Sequence, residues 1–382
     1  MSSLMDTSTS SSTLVLCPAM ELKDGKETLL FDPSLLQKQP NLPKEFIWPS
    51  KDLVHAQDEL KEPLIDLSGF LKGNEEATSQ AAELIRTACT NHGFFQVINH
   101  GVDPGLIRAA YDEIDAIFGL PMSKKLGMKR RTGGVCGYSG AHADRYSSKL
   151  PWKETFSFGF HKNESSDIVV VDYFKSVLGN DFEHTGWVYQ KYCEAMKKLA
   201  LVIMELLAIS LGIERMHYRD FFEDGSSIMR CNLYPPCMNP GLAMGTGPHS
   251  DPTSLTILHQ DQVGGLQVFV SNKWQAVTPR QDAFVVNIGD TFMALTNGRY
   301  KSCLHRALVN RESERRSLVF FVCPREDRTV RPPSDLLWTG MEVPRKYPDF
   351  TWSDLLEFTQ NHHRADVATL QSFIHWLRSL QS

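Results

Sequence analysis

A chain of 382 residues with a formal net charge of −5 can bury a full core without disulfide or metal staples. Its acidic and basic residues are interspersed, with no basic stripe of the kind that phosphate backbones select, which argues against a nucleic-acid partner. The eight cysteines are scattered without a C-x-x-C pair, as expected of reduced thiols in a cytoplasmic protein, and neither a secretory signal nor an apolar run of membrane-spanning length is visible.

Residues 1–40 are poor in periodic apolar positions and predict a mobile arm, anchored by hydrophobes such as Leu29, Leu30 and Phe31. Order is expected from about Phe46, within a region spanning 41–185. Residues 62–67 read as a short strand, and 75–91 as a helix with Ala82, Ile85, Ala88 and Cys89 on one face. A buried strand follows from Gly93. A second helix starts after Asp103-Pro104 and runs past Tyr111 towards Phe118. In the region 186–224 a long helix covers 186–211, where Val188, Tyr192, Ala195, Leu199, Val202, Leu206 and Ile209 repeat at three- and four-residue steps and Gly212 supplies the stop.

From Ile228 the period changes to two, and strands are expected over 229–234, 255–259, 266–270, 283–288, 304–309 and 317–323. Asn297-Gly298, between two of these runs, predicts a hairpin turn. Many short strands with Gly/Pro turns indicate an α+β chain with a mainly β core: a double-stranded β-helix, or jelly roll, over 225–325. Helices flank it, the long one supporting a sheet. Residues 326–382 return to helix after a Pro-rich connector.

In Pro248-His249-Ser250-Asp251 the imidazole and carboxylate are two positions apart, so on an extended segment they face the same way. His305, on a later strand, is the candidate third ligand. Two histidines and one carboxylate on one face of an octahedral ion leave adjacent positions open, the arrangement suited to iron(II) and oxygen chemistry; zinc also accepts this set. An H-x-D triplet is common by chance. His142-Ala143-Asp144 is a second one, read as a loop or pocket-wall element, and His92, His100 and His259 are read as hydrogen-bonded structural histidines.

Downstream, alternation in Arg315-Arg316-Ser317 puts Arg315 and Ser317 on one strand face. A guanidinium fork plus a hydroxyl is suited to gripping a carboxylate, with Tyr234 as a further donor and Asn232 on the same face. A run as charge-dense as 311–316 is ordinarily a solvated turn, and it is the triad upstream that favours the clamp.

These residues, with the stretches 63–67, 92–101, 150–155, 232–237 and 347–358, resemble the plant 2-oxoglutarate- and iron(II)-dependent dioxygenases, and among them most closely the gibberellin 20-oxidases. Leu150-Pro-Trp-Lys-Glu-Thr155 is the most specific of the shared tracts. The resemblance implies iron(II) on His249, Asp251 and His305, and 2-oxoglutarate held by Arg315 and Ser317 with help from Tyr234. Ascorbate dependence is implied as a family trait. The implied reaction is repeated oxidation of carbon 20 of a diterpenoid acid, ending in the nineteen-carbon lactone. Tyr138, His142, Trp152 and Lys153 are candidates for the substrate wall, Lys153 as a carboxylate partner; no partner protein is implied. Another oxygenase of gibberellins or flavonoids, a non-catalytic small-molecule-binding jelly roll and a zinc hydrolase are the competing readings. One departure from the family is Leu233, where tyrosine is more usual; it should point away from the site.

Overall fold

A computed structural model describes residues 31–39, 41–54, 56, 58–131, 133–141, 149–161, 166–338, 343–362 and 368–380. In chain order its strands are β1 (Asp58–Glu59), β2 (Leu64–Asp66), β3 (Phe94–Ile98), β4 (Gly137–Gly140), β5 (Glu154–Phe160), β6 (Ser227–Tyr234), β7 (Met244–His249) and β8 (Leu255–Gln260). They continue as β9 (Leu266–Val270), β10 (Lys273–Ala276), β11 (Phe284–Ile288), β12 (His305–Leu308), β13 (Arg315–Val322), β14 (Thr329–Val330) and β15 (Phe350–Thr351). Among the described residues they form a major sheet in the order β2-β3-β11-β8-β13-β6-β5-β4 and a minor sheet in the order β1-β10-β9-β12-β7, with a separate β14-β15 pair. The two sheets make the expected jelly roll.

Alternation on β13 shows how the sequence sorts its faces. Val319 and Phe321 look into the roll, whereas Leu318, Phe320 and Val322 are buried in the main core with Leu199, Ile203 and Leu206 of the helix Glu183–Leu211. That helix backs the major sheet as expected, and Cys231 Sγ on β6 donates to its Tyr189 hydroxyl at 3.3 Å. It ends at Gly212, whose φ of 71° only glycine adopts freely. Each large aliphatic or aromatic side chain buried here contributes on the order of 1.5–3 kcal/mol. No helix among the described residues is long and apolar enough to cross a membrane.

The helices Glu75–Asn91 and Pro104–Phe118 form where the period of 3.6 placed them. Two expectations need correction. Asn297-Gly298 does not make a hairpin, because β11 pairs with β3 and β8 while β12 lies in the other sheet. The left-handed pair (φ 51° and 73°) instead ends the short helix Asp290–Leu295, with the Gly298 N–H donating to Met293 O at 2.8 Å. Packing also starts before Phe46: Phe31 is buried against Phe46 and Trp152, at ring-centroid distances of 5.6 and 5.4 Å.

Candidate active site

The register of the minor sheet brings the two strand histidines together. His249 closes β7, His305 opens β12, and the two are direct cross-strand partners with ring centroids 4.2 Å apart. Each ring is oriented by a carbonyl two residues earlier: His249 Nδ1 donates to Gly247 O at 2.8 Å and His305 Nδ1 to Cys303 O at 3.3 Å. Both Nε2 atoms are thereby left as acceptors aimed at Asp251, 3.6 Å from its oxygens. One donor atom from each residue lies within 4.8 Å of the others.

Asp251 is held from the opposite sheet. Its Oδ2 accepts from Thr256 Oγ1 on β8 (2.6 Å) and Asn287 Nδ2 on β11 (2.9 Å). Burial tends to raise its carboxyl pKa, but the two imidazoles and these two donors outweigh it and hold the group below its ordinary value. Burial, reinforced by His305, pushes His249 well below its usual value. A neutral His249 imidazole beside an ionised Asp251 carboxylate suits metal binding. The residues present fit a divalent cation with N2O donors, and the ring-orienting carbonyls and carboxylate donors are the supports such sites require.

The candidate clamp stands on the major sheet. Arg315 pairs in register with Tyr234 across β13 and β6, and Ser317 with Asn232 on one side and Gln260 on the other. Arg315 is 3% exposed; its Nη2 donates to Gln260 Oε1 at 2.8 Å, and its guanidinium carbon lies 4.9 Å from the centroid of the Tyr234 ring. Asn232 Nδ2 donates to Ser317 Oγ at 3.2 Å. Four buried polar atoms here lack a protein partner: Arg315 Nε and Nη1, Asn232 Oδ1 and Gln260 Nε2. Orphaned buried donors cost about 1–3 kcal/mol each, more on a charged group, so a fork left open in this way is suited to a carboxylate from outside the chain. Leu233, between the two contact positions, points into the main core.

Two cavities meet at the triad. One, of about 70 Å³, runs inside the roll to Arg315; the other, the outer cavity, of about 140 Å³, lies between His249 and Asp251 and the C-terminal residues 352–369. Lys153, Arg230, Thr246, His249, Asp251 and Phe321 border both. Lys153 is buried, donates to Thr246 Oγ1 at 3.0 Å, and is held well below an ordinary lysine pKa by burial and then by the cations Arg230, Arg130 and Arg315, against the pull of Asp251. Arg230 Nε donates to Ser157 Oγ at 3.0 Å, and the guanidinium stacks over Phe321.

The other wall candidates fall elsewhere. Trp152, on the opposite side of the backbone from Lys153, packs with Phe31 and Phe46 and donates from Nε1 to Pro235 O at 3.1 Å. Tyr138 donates to Glu154 Oε1, which also takes Lys125 Nζ, both at 2.7 Å. Neither borders either of these two cavities. His142 lies outside the described residues. His92 and His100 each accept a backbone N–H two residues on, and His259 sits between Tyr111 and Gln281 O, so these three are tied into structure.

Sequence reasoning missed Thr256, Asn287, Gln260, Arg230 and the C-terminal part of the wall. Asn287 carried a signal, being the one polar residue in the buried run Phe284-Val-Val-Asn-Ile288.

Two family models match the chain: the 2OG-Fe(II) oxygenase superfamily over residues 225–324, and the N-terminal domain described as non-haem dioxygenase in morphine synthesis over residues 63–175. Gibberellin 20 oxidase 2 of Oryza sativa subsp. japonica is 57% identical over 90% of this chain and 87% of its own. Gibberellin 20 oxidase 1 of Arabidopsis thaliana is 54% identical over 94% and 95%. Among solved structures, JOX2 in complex with 2OG, Fe and JA superposes with a TM-score of 0.78 at 31% identity, covering 91% of this chain and 98% of its own. A rice dioxygenase for auxin oxidation gives 0.65 at 29% identity, over 81% and 99%.

Proposed function

This chain belongs to the 2OG-Fe(II) oxygenase superfamily, and from that premise we propose that it works as a gibberellin 20-oxidase. Its reaction is the successive oxidation of carbon 20 of a twenty-carbon gibberellin to a nineteen-carbon product, with iron(II), 2-oxoglutarate and dioxygen. The observation that carries the oxygenase chemistry is the pairing of a His249–Asp251–His305 donor set with an open, buried Arg315 fork in one cavity.

Bound iron(II) would supply dioxygen activation coupled to oxidative decarboxylation of the 2-oxo acid. The chain's own residues do the rest. His249, Asp251 and His305 would hold the metal in the cavity that Arg315 also lines. Arg315 and Ser317 grip the far carboxylate of 2-oxoglutarate, with Tyr234 and Asn232 bracing them. Lys153 offers its amine to an acid group of the diterpenoid, whose charge would favour the protonated form, and its hydrogen bond to Thr246 Oγ1 leaves donors for that group. A zinc-hydrolase reading gives the buried fork no task, and a non-catalytic binding module gives none to the triad. Free buried thiols favour a reducing, cytoplasmic setting.

The test is anaerobic reconstitution with iron(II), 2-oxoglutarate and ascorbate, then addition of oxygen and a twenty-carbon gibberellin, following succinate and diterpenoid products by mass spectrometry. Stepwise products with matching succinate are expected. Succinate without an oxidised gibberellin would keep the oxygenase and overturn the substrate; neither product would leave the binding-module reading standing.

A further inference from the structure

The outer cavity has a wall that the shared chemistry does not require. Trp352, Leu356, Thr359, Gln360 and Thr369 border it, all beyond residue 324, where the match to the superfamily stops. Steps of four and three residues put Trp352, Leu356 and Thr359 on one helical face. The facing wall holds His249 and Asp251 together with Lys153 and Arg230, so polar and ionisable groups line the metal side, while Trp352 and Leu356 supply the apolar part of the opposite wall, edged by Thr359, Gln360 and Thr369.

The apolar part of this wall, Trp352 and Leu356, is locked in place. Thr351 and Asp354 form a reciprocal capping box that sets the start of the helix Trp352–Glu357, and Trp352 is 2% exposed in the main core. The helix continues into a π-helical turn, Phe358–His362, a feature frequent at functional sites. Phe358 is clamped by Phe373 and Trp376 at 5.5 and 5.3 Å. Leu356 is only partly buried against the core and borders the cavity, so its methyl groups face whatever fills it.

We propose that Leu356, backed by Trp352, is a specificity-determining residue that sets which carbon of the substrate cage meets the metal face. The inference rests on the gibberellin reading above and adds to it. A fused-ring cage has no internal torsion with which to adapt, so a cage held by its acid group at Lys153 and Arg230 has one remaining constraint, the depth allowed by the opposite wall. A methylene added to or removed from that wall displaces the whole cage. Pocket changes of this size alter discrimination by roughly 10–200-fold.

Full-length wild type, Leu356→Phe and Leu356→Ala are to be compared in three measurements: anaerobic binding of a twenty-carbon gibberellin, followed by quenching of tryptophan fluorescence; the KM for 2-oxoglutarate; and the ratio of products to succinate. Leu356→Phe is expected to weaken gibberellin binding at least about tenfold with the 2-oxoglutarate KM unchanged. Leu356→Ala is expected to bind but to release more succinate per oxidised product, with oxidation spread to carbons other than 20. Unchanged binding and product ratios in both variants would overturn the proposal, as would loss of 2-oxoglutarate binding in step with gibberellin, which marks a folding defect. Failure of the wild type to bind gibberellin would instead overturn the substrate reading, so the two failures are distinct.

Discussion

Arg315 donates from Nη2 to Gln260 Oε1 at 2.8 Å, which ties one arm of the guanidinium to β8 and leaves Nε and Nη1 without a protein partner. An ammonium at this position keeps the charge and loses the two-point geometry. Arg315→Lys is therefore expected to raise the KM for 2-oxoglutarate by at least about tenfold, with a smaller rise for Gln260→Ala, which only frees the tied arm. Titrating 2-oxoglutarate under saturating gibberellin reads both, and an unchanged value for Arg315→Lys would remove Arg315 from the clamp.

Thr256 and Asn287 decide which carboxylate oxygen Asp251 presents. With both donors on Oδ2, Oδ1 is the oxygen left to serve as the ligand. His249→Ala and Asp251→Ala should abolish turnover. Thr256→Val and Asn287→Ala keep every ligand yet should weaken iron(II) binding by about 10–100-fold, measured by anaerobic titration. Wild-type affinity in Asn287→Ala would mean that Asp251 is oriented by something else.

Glycine is required on β7 for a steric reason. A Cβ on Gly247 would lie 2.2 Å from the Trp48 ring, and the Gly247 carbonyl also orients His249. Gly247→Ala is expected to destabilise the fold by about 1–3 kcal/mol and to loosen iron binding. Trp48→Leu in the same chain should recover part of the stability, as read by denaturant unfolding; no recovery would place the strain elsewhere.

Burial holds His100 and His259 below their ordinary value of 6.5, so the folded chain keeps them neutral where an unfolded chain would protonate them. The unfolded state then binds more protons, and stability rises with pH across that window. This contribution is fully present above about pH 6.5 and is lost as pH falls below it. Thermal unfolding of the metal-free protein should show a lower Tm at pH 5.5 than at 7.5, and a smaller drop in His259→Gln. Equal drops would show that acid sensitivity arises from other groups.

What the sequence made legible is what short-range physics determines. The 3.6-residue period and Gly212 located the long helix, and alternation put Arg315 and Ser317 on one face of β13. The pairing of His249 with His305 was expected only from the donor chemistry, since cross-strand register between distant segments leaves no local mark. Asn297-Gly298 carried the correct backbone preference, but the same left-handed pair serves a hairpin and a helix end equally well. Trp152 and Lys153 are neighbours in one tract, yet of the two it is Lys153 that borders the cavities at the triad, because successive side chains near a strand face opposite ways. The C-terminal wall was invisible because it comes to face the end of β7 across a cavity only in the folded chain.

Lys153 gives the sharpest separation between co-substrate and substrate. It is buried, is surrounded by cations that disfavour its charge, and donates to Thr246 Oγ1. A carboxylate arriving from a ligand would reverse that balance, because an anion beside the amine favours its protonated form. Lys153→Met keeps the volume and removes the donor. It is expected to raise the KM for gibberellin by about 10–100-fold while leaving the 2-oxoglutarate KM within about twofold, since the proposed clamp on that carboxylate is Arg315 rather than Lys153. A methyl ester of the gibberellin acid group should bind wild type and variant alike. A parallel rise in both Michaelis constants would assign Lys153 to 2-oxoglutarate, and no change in either would make it a structural partner of Thr246 alone.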